Sequence, residues 1–243
     1  MTQFTYGIEL EMSSLSISGA SHAITRTGVQ GWQVKPDGTN HVSAEAISPI
    51  LTADRLNESR TVARALVASG GTVNKQTGYH VHVGADLIGL EGVANMVWNW
   101  NHTHATIGAL VAPSRLNNGF CRPVSEISLP EWCDNVRAGN IANYGSGRYW
   151  SLNLASYSRH RTVEVRLHHG TLNGAKIQAW AEFVGAMAQY GKDGNRFELA
   201  TWTDSANRLN NISTMLDILT VDSSLNHKTA TYLKARAEEL ASR

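Results

Sequence analysis

The sequence is poor in several features that define whole classes of protein. Among its 243 residues there are only two cysteines, Cys121 and Cys133. Two cysteines cannot form the disulfide framework of a small secreted domain, and they lie too far apart for the close pairs of a zinc knuckle. We therefore expect two reduced thiols in a cytoplasmic protein.

Long apolar runs and a charge excess are also missing. No apolar run reaches the roughly 18 residues that a membrane span requires. The N-terminal segment has no basic part and carries Glu9 and Glu11, which argues against a signal peptide. The 21 Lys+Arg and 20 Asp+Glu residues nearly cancel, to a net charge of +1. This balance removes the electrostatic argument for a nucleic-acid coat protein or a membrane-surface binder, although it leaves room for a local basic site.

The order of periodic segments indicates the fold class. With 42% hydrophobic residues, the chain can bury the core of one domain spanning 1–243. Period-two alternation or strand-like composition occurs at 4–12, 31–35, 41–47, 79–83, 148–154 and 162–168. Helical patterns occur at 54–69, 90–112, 177–190, 205–219 and 224–241. Strands and helices do not alternate regularly, so we predict an α+β protein with an antiparallel sheet and helices packed on one side.

Residues 116–147 differ in amino-acid composition from the rest of the chain. The segment is rich in Asn, Gly, Arg and Ser and contains Pro123 and Pro130. A loop of this length in a compact chain is usually functional or disordered. We predict a mobile insertion here, whereas the C-terminal part near 204–241 is predicted to be helical.

Two glutamates share one face of the first predicted strand. Glu9 and Glu11 are two residues apart, so their carboxylates point the same way. Paired like charges are unfavourable unless a cation lies between them, and a divalent, oxygen-preferring metal suits them. The alternative is a solvent-exposed strand face.

Two histidines repeat this spacing. His80 and His82 share one strand face between Gly78 and Gly84, whose lack of a side chain permits close approach. Neutral imidazole binds metal or donates to phosphate, although two histidines among ten can also fall together by chance.

A third strand carries a carboxylate beside a cation. The alternation predicts that Thr162, Glu164, Arg166 and His168 line one face of this strand. Glu164 suits a metal, and the Arg166 guanidinium suits phosphate or a substrate carboxylate. The alternative is an exposed intrastrand ion pair. Because three strands share this pattern, we predict a sheet face that holds metal and an anion.

Four further residues could join this site. Glu45 faces away from the apolar side of its strand and could add a carboxylate. Asp37 could do the same, although a Pro-Asp-Gly turn explains it equally well. Lys35 alternates with Asp37 and could reach an anion or simply be solvated. Arg148 follows a Gly-Ser-Gly turn that could cradle phosphate, but no Lys-Ser/Thr completes a P-loop.

These motifs together resemble the amidoligase family, relatives of glutamine synthetase and glutamate–cysteine ligase. The resemblance covers about residues 4–190 and keeps the order of its motifs. They are YGIELE at 6–11, VKPDGT at 34–39 with EAISP at 45–49, GYHVHVG at 78–84, Arg148 leading into SLN at 151–153, and TVEVRLH at 162–168.

The resemblance implies an ATP- and Mg2+-dependent carboxylate–amine ligase that works through an acyl phosphate. It implies the curved antiparallel sheet of the glutamine synthetase catalytic type, with helices on its outer face. It assigns metal binding to Glu9, Glu11, Glu45, His80 and Glu164. It gives nucleotide binding to His80, His82, Lys35 and Arg148, and catalysis to Arg166, Arg148 and Asp37. Two or more Mg2+ ions are expected, with Mn2+ able to substitute.

The implied substrates are a small-molecule or peptide carboxylate and an amine, with nucleic acid involved only as a modified substrate. The resemblance is also compatible with a phage origin. A metal-dependent hydrolase and a non-catalytic nucleotide- or ligand-binding protein on a ligase fold remain alternatives. The substrates and the oligomeric state are left open by the sequence.

Overall fold

The protein is described by a computed structural model that covers residues 4–37, 42–145, 147–198 and 200–242. Its strands are β1 (Thr5–Met12), β2 (Gln33–Lys35), β3 (Ala44–Ile47), β4 (Leu51–Thr52), β5 (Gly78–Gly84), β6 (Leu152–Asn153) and β7 (Thr162–His169). Its α-helices are α1 (Ile17–Thr25), α2 (Glu58–Ala68), α3 (Gly89–His102), α4 (His104–Ile107), α5 (Pro113–Leu116), α6 (Leu129–Arg137), α7 (Tyr157–His160), α8 (Gly174–Lys192), α9 (Arg208–Asp222) and α10 (His227–Ala241). Short 3-10 turns occur at Ala53–Arg55, Gly108–Leu110, Ala200–Thr203 and Ser205–Asn207.

The strands form one antiparallel sheet. Its order is β2-β3-β1-β5-β7-β6, and β4 pairs with the start of β1. The long strands β1, β5 and β7 lie side by side at the centre. The predicted α+β class with an antiparallel sheet is confirmed.

The alternation of the sequence separates an apolar from a polar face of the sheet. Ile8, Val81 and Val165 are fully buried on the apolar face. Helix α8 packs against β5 there, and the Tyr79 hydroxyl donates to the carbonyl of Ile177 across 2.7 Å. Because the helix covers this face, the opposite face of the central strands is left for polar side chains.

The prediction that His168 lies on the polar face is wrong. The register of β5 and β7 shifts between Tyr79 and Val81, so that the β7 partners step from Val165 to His168. This irregularity inserts one extra residue into β7 and changes the parity of the side chains beyond it. His168 is consequently buried against Tyr79 and Trp180.

The buried Arg115 of α5 stabilises this irregularity. Its Nε donates to the carbonyl of Leu167 across 3.1 Å, and Nη2 donates to the carbonyl of Arg166 across 2.7 Å. Without these donors, carbonyls displaced from the regular ladder would lack partners.

The segment 116–147 is less irregular than the sequence predicts. It contains α6, which begins with a proline in its first turn and packs against α3. Leu129, Trp132, Cys133 and Val136 are buried, at the i, i+3, i+4, i+7 spacing of an amphipathic helix. Mobility therefore stays a prediction only for the parts of the segment that flank α6.

None of the helices in the described ranges combines the length and the apolar character that crossing a membrane requires.

Candidate active site

A cavity of about 630 Å³ opens on the polar face of the sheet. Its lining residues are Glu9, Glu11, Lys35, Pro36, Asp37, Glu45, His80, His82, Arg148, Asn153, Ala155, Ser156, Ser158, Arg159, His160, Glu164 and Arg166. The structure thus brings together, around one cavity, every residue to which the family resemblance assigned a role.

Strand register explains why these side chains meet. Glu9 of β1 lies opposite His80 of β5, and His82 of β5 lies opposite Glu164 of β7. Asn153 of β6 lies opposite Glu164 on the other side. Directly opposed residues of antiparallel strands point to the same face, so these side chains form two neighbouring rows that together span four strands.

Glu9 lies between the two histidines. One carboxylate oxygen is 3.1 Å from His80 Nδ1, and the other is 3.3 Å from His82 Nε2. Burial would raise the pKa of Glu9, but the hydrogen bonds and charges of His80 and His82 hold it well below its usual range. Glu9 is therefore an ionised carboxylate at the centre of the site.

Glu11 is held by backbone and by a histidine. The amide of Gly78 donates to Glu11 Oε2 across 2.6 Å, and Glu11 Oε1 is 3.6 Å from His80 Nε2. A Cβ at residue 78 would lie 2.7 Å from the same His80 nitrogen. A side chain at residue 78 would therefore displace the His80 imidazole ring.

Glu164 is held by donors on both of its oxygens. Arg166 Nη1 donates to Oε1, and Asn153 Nδ2 donates to Oε2. Burial alone would raise the pKa of Glu164, but the charges of Arg166, His82 and His80 lower it. Arg166 Nε, in contrast, is buried without a hydrogen-bond partner among the described residues. A buried donor without a partner marks a position where a ligand acceptor would fit.

Glu45 behaves differently from the other carboxylates. Burial comes first, and with the charges of Glu9 and Glu11 it raises the pKa of Glu45 to about 8. Lys35 opposes this shift, but its Nζ lies 3.7 Å from the carboxylate and its side chain is largely exposed. The negative charge at this corner thus exceeds what the neighbouring cation balances.

Two groups of side chains have the geometry of metal ligands. One consists of Glu9, Glu45 and His80, and the other of Glu9, His82 and Glu164. Within each group the ligand atoms lie within 4.8 Å of one another. Carboxylate oxygens suit Mg2+ and Mn2+, and a divalent cation would offset the negative charge of Glu9 and Glu11 that helps to raise the pKa of Glu45. The residues therefore fit a divalent metal, and Glu9 belongs to both groups.

The remaining expected residues lie around this centre. Lys35 and Asp37 line the cavity beside Glu45, while Gly38 and Thr39 of the predicted turn lie outside the described residues. Arg148 is exposed and lines the cavity. The predicted phosphate cradle before Arg148 cannot be described in full, because Ser146 lies outside the described residues.

Sequence reasoning missed several cavity residues. Ser156, Ser158, Arg159 and His160 come from α7 and the residue before it, a segment with no periodic pattern that could have assigned them to a site. Asn143 was missed as well, although its side chain bonds to Asn153. A single asparagine in a polar loop carries no signal of such a role.

Comparisons with known proteins identify the family of the chain. A family model described as "Putative amidoligase enzyme" matches residues 31–188, which is more than half of the chain. No curated protein matches the chain. A solved structure titled "Crystal structure of the complex between Prokaryotic Ubiquitin-like Protein Pup and its Ligase PafA" is 10% identical, with a TM-score of 0.45. The alignment covers 99% of this chain and 63% of that one, and at this score the likeness supports no further conclusion. The family match is sufficient to state that the chain belongs to the amidoligase family.

Proposed function

We propose that the protein is an ATP- and Mg2+-dependent carboxylate–amine ligase that forms an amide bond through an acyl-phosphate intermediate. One observation carries the proposal: in a member of the amidoligase family, four glutamates, three histidines and three arginines line the same cavity. Carboxylates suit the metal that accompanies a nucleotide, and arginines suit phosphate oxygens. We also propose that the sheet has the curved form of the glutamine synthetase catalytic type.

Metal binding is assigned to the two ligand groups. Glu9, Glu45 and His80 would hold one ion, and Glu9, His82 and Glu164 would hold another, with Glu11 beside them. When bound, Mg2+ neutralises charge on the phosphate oxygens and so lowers the barrier to attack by an anion.

The first step joins two anions, which makes charge neutralisation the main task of the chain. A carboxylate oxygen of the first substrate attacks the γ-phosphorus of ATP. The bond to the β–γ bridging oxygen breaks, and its electron pair leaves with ADP. Arg166 donates to Glu164, Arg148 is exposed, and both residues line the cavity, so both guanidinium groups could contact the transferring phosphoryl group. His80, His82 and Lys35 would assist in holding the nucleotide.

The second step forms the amide. The amine nitrogen attacks the acyl carbon, the bond to the phosphate oxygen breaks, and phosphate leaves with the electron pair. The nitrogen must also lose a proton. We assign this proton to Asp37, which lines the cavity but belongs to neither three-ligand group. Closure of the parts of 116–147 that flank α6 would protect the acyl phosphate from water.

The substrates are proposed by chemical class. One is a small-molecule or peptide carboxylate and the other an amine, with a nucleic acid entering only as a substrate for modification.

Nucleotide turnover tests the proposal against its two alternatives. Binding of ATP with Mg2+ is measured by titration calorimetry, and ADP release is then measured across amino acids and peptides. A ligase releases ADP only when a carboxylate is present, and an amide accumulates with the amine. Turnover of substrates without nucleotide would indicate a hydrolase, and ATP binding without any turnover would indicate a binding protein. Glu9→Gln should abolish turnover, whereas Glu58→Gln, in a salt bridge with Arg55 outside the cavity, should not.

A further inference from the structure

Asn143 connects the loop between α6 and β6 to Asn153, a residue that lines the cavity. Its Nδ2 donates to the carbonyl of Gly147 across 2.9 Å and also to Asn153 Oδ1. Its Oδ1 accepts from the amide of Leu154 across 2.6 Å. Both ends of this side chain are therefore engaged, so the orientation of its amide is fixed.

This arrangement in turn fixes Asn153. Oδ1 of Asn153 accepts from Asn143 and from the amide of Ala155, the latter across 3.0 Å. Nδ2 of Asn153 must then point the other way, where it donates to Glu164 Oε2. If the Asn153 amide were reversed, its oxygen would face the Glu164 carboxylate. Since Asn153 and Glu164 are both buried, this repulsion would not be screened by water.

We infer that Asn143 is a positioning residue that acts through Asn153 to hold the Glu164 carboxylate in the orientation that binds metal. The inference rests on the proposed role of Glu164 as a metal ligand. Mutation of residues that orient a metal ligand through a hydrogen bond typically lowers metal affinity about 10- to 100-fold. Asn143 and Arg148 belong to the same loop, so the arrangement also connects the loop that carries Arg148 to the proposed metal ligands.

The chain offers a nearly isosteric test. Asn143→Asp keeps the oxygen that accepts from the Leu154 amide but loses both donors, so the contact with Leu154 stays while the bonds to Asn153 and to the Gly147 carbonyl are lost. Asn140→Asp adds the same charge to the same loop at an exposed position and is the matched control. The probe is Mn2+ alone, titrated calorimetrically without nucleotide, so the readout does not depend on ligase activity.

Mn2+ affinity should fall about tenfold or more in Asn143→Asp and less than about twofold in Asn140→Asp. The decisive measurement is the same substitution in an Asn153→Ala protein. Because Asn143 acts through Asn153, Asn143→Asp should change Mn2+ affinity less than about twofold in that background. A general disturbance of the loop would weaken binding equally in both backgrounds and would overturn the inference. If Asn143→Asp does not fold, Asn143→Ser is measured instead, in both the wild-type and the Asn153→Ala backgrounds.

Glu164→Gln separates this inference from the proposed function. Weaker Mn2+ binding in Glu164→Gln, together with unchanged binding in Asn143→Asp, would overturn the positioning role alone. Unchanged binding in Glu164→Gln would remove Glu164 from the proposed metal ligands, and the role of Asn143 with it.

Discussion

Glu11 of β1 and Glu45 of β3 occupy directly opposed positions in neighbouring antiparallel strands. Like charges in opposed positions destabilise a sheet unless something neutralises them. In the protein without metal, a proton on Glu45 serves this purpose, because burial and the nearby carboxylates raise its pKa to about 8. A divalent cation would replace that proton.

The first prediction concerns stability against pH in the metal-free protein. The pKa of Glu45 is higher in the folded state than its ordinary value of 4.5, so its contribution to stability is complete below pH 4.5 and is lost as the pH rises through 8. Glu45→Gln lacks this dependence. We therefore expect the free energy of unfolding of Glu45→Gln, minus that of the wild type, to grow between pH 5 and pH 8, as measured by urea denaturation in EDTA.

Saturating Mg2+ is the control for this experiment. The ion replaces the proton, so the advantage of Glu45→Gln should disappear. A difference between the two proteins that does not change with pH would show that Glu45 is ionised throughout, contrary to the account.

The second prediction concerns metal stoichiometry. Glu9 belongs to both ligand groups, whereas Glu45 belongs to one. Mn2+ titration followed by electron paramagnetic resonance should show two ions bound to the wild type, one tight ion in Glu45→Gln and none in Glu9→Gln. One ion retained in Glu9→Gln would contradict the assignment of Glu9 as a shared ligand.

The third prediction concerns Arg166→Lys. The Arg166 side chain is 11% exposed and its Nε is without a partner among the described residues, which leaves a donor for the ligand. Lysine keeps the charge and the ion pair with Glu164 but loses the planar fork of donors. We expect ligase turnover to fall about a hundredfold, corresponding to on the order of 3 kcal/mol, at an unchanged melting temperature.

Arg137→Lys is the matched control for this substitution. Arg137 forms ion pairs with Glu91 and Asp134 but does not line the cavity. Its turnover should match that of the wild type. Wild-type turnover in Arg166→Lys would remove Arg166 from the mechanism, and a large fall in melting temperature would assign it a structural role.

The fourth prediction concerns closure of the cavity. Hydrogen exchange should slow on addition of ATP and Mg2+ in residues 117–128, whereas the residues around Asn143 are already bonded to the site in the free protein. The amides of α6 should already be protected in the free protein, because one face of this helix is buried. Strong protection of residues 117–128 before ATP is added would contradict a lid.

Strand parity predicted much of the candidate site. Alternation alone assigned Glu9, His80 and Glu164 to polar faces, because the side chains of a regular strand alternate without exception. It failed at His168, where the extra residue in β7 changes the parity. The carbonyls at this irregularity accept from Arg115, which lies some fifty residues away in the sequence. No local sequence pattern could therefore have predicted the extra residue.

Other differences have other causes. Helix α6 was predictable in principle, since Leu129, Trp132 and Val136 follow helical spacing, but the polar composition around them obscured it. Helix α1 begins at a Ser16 N-cap whose side chain accepts from the amide of Gly19, a signal that the sequence prediction did not use. The bond between Asn143 and Asn153 depends on tertiary contact and leaves no trace in either local sequence.

Isotope transfer tests the central claim, an acyl-phosphate ligase, most directly. The carboxylate that supports ADP release is labelled with 18O in both oxygens and incubated with ATP, Mg2+ and the amine, and the released phosphate is analysed by mass spectrometry. Because the attacking oxygen leaves with phosphorus, the account predicts one 18O atom in each phosphate and one in each amide. Phosphate that carries no 18O from the carboxylate would contradict it.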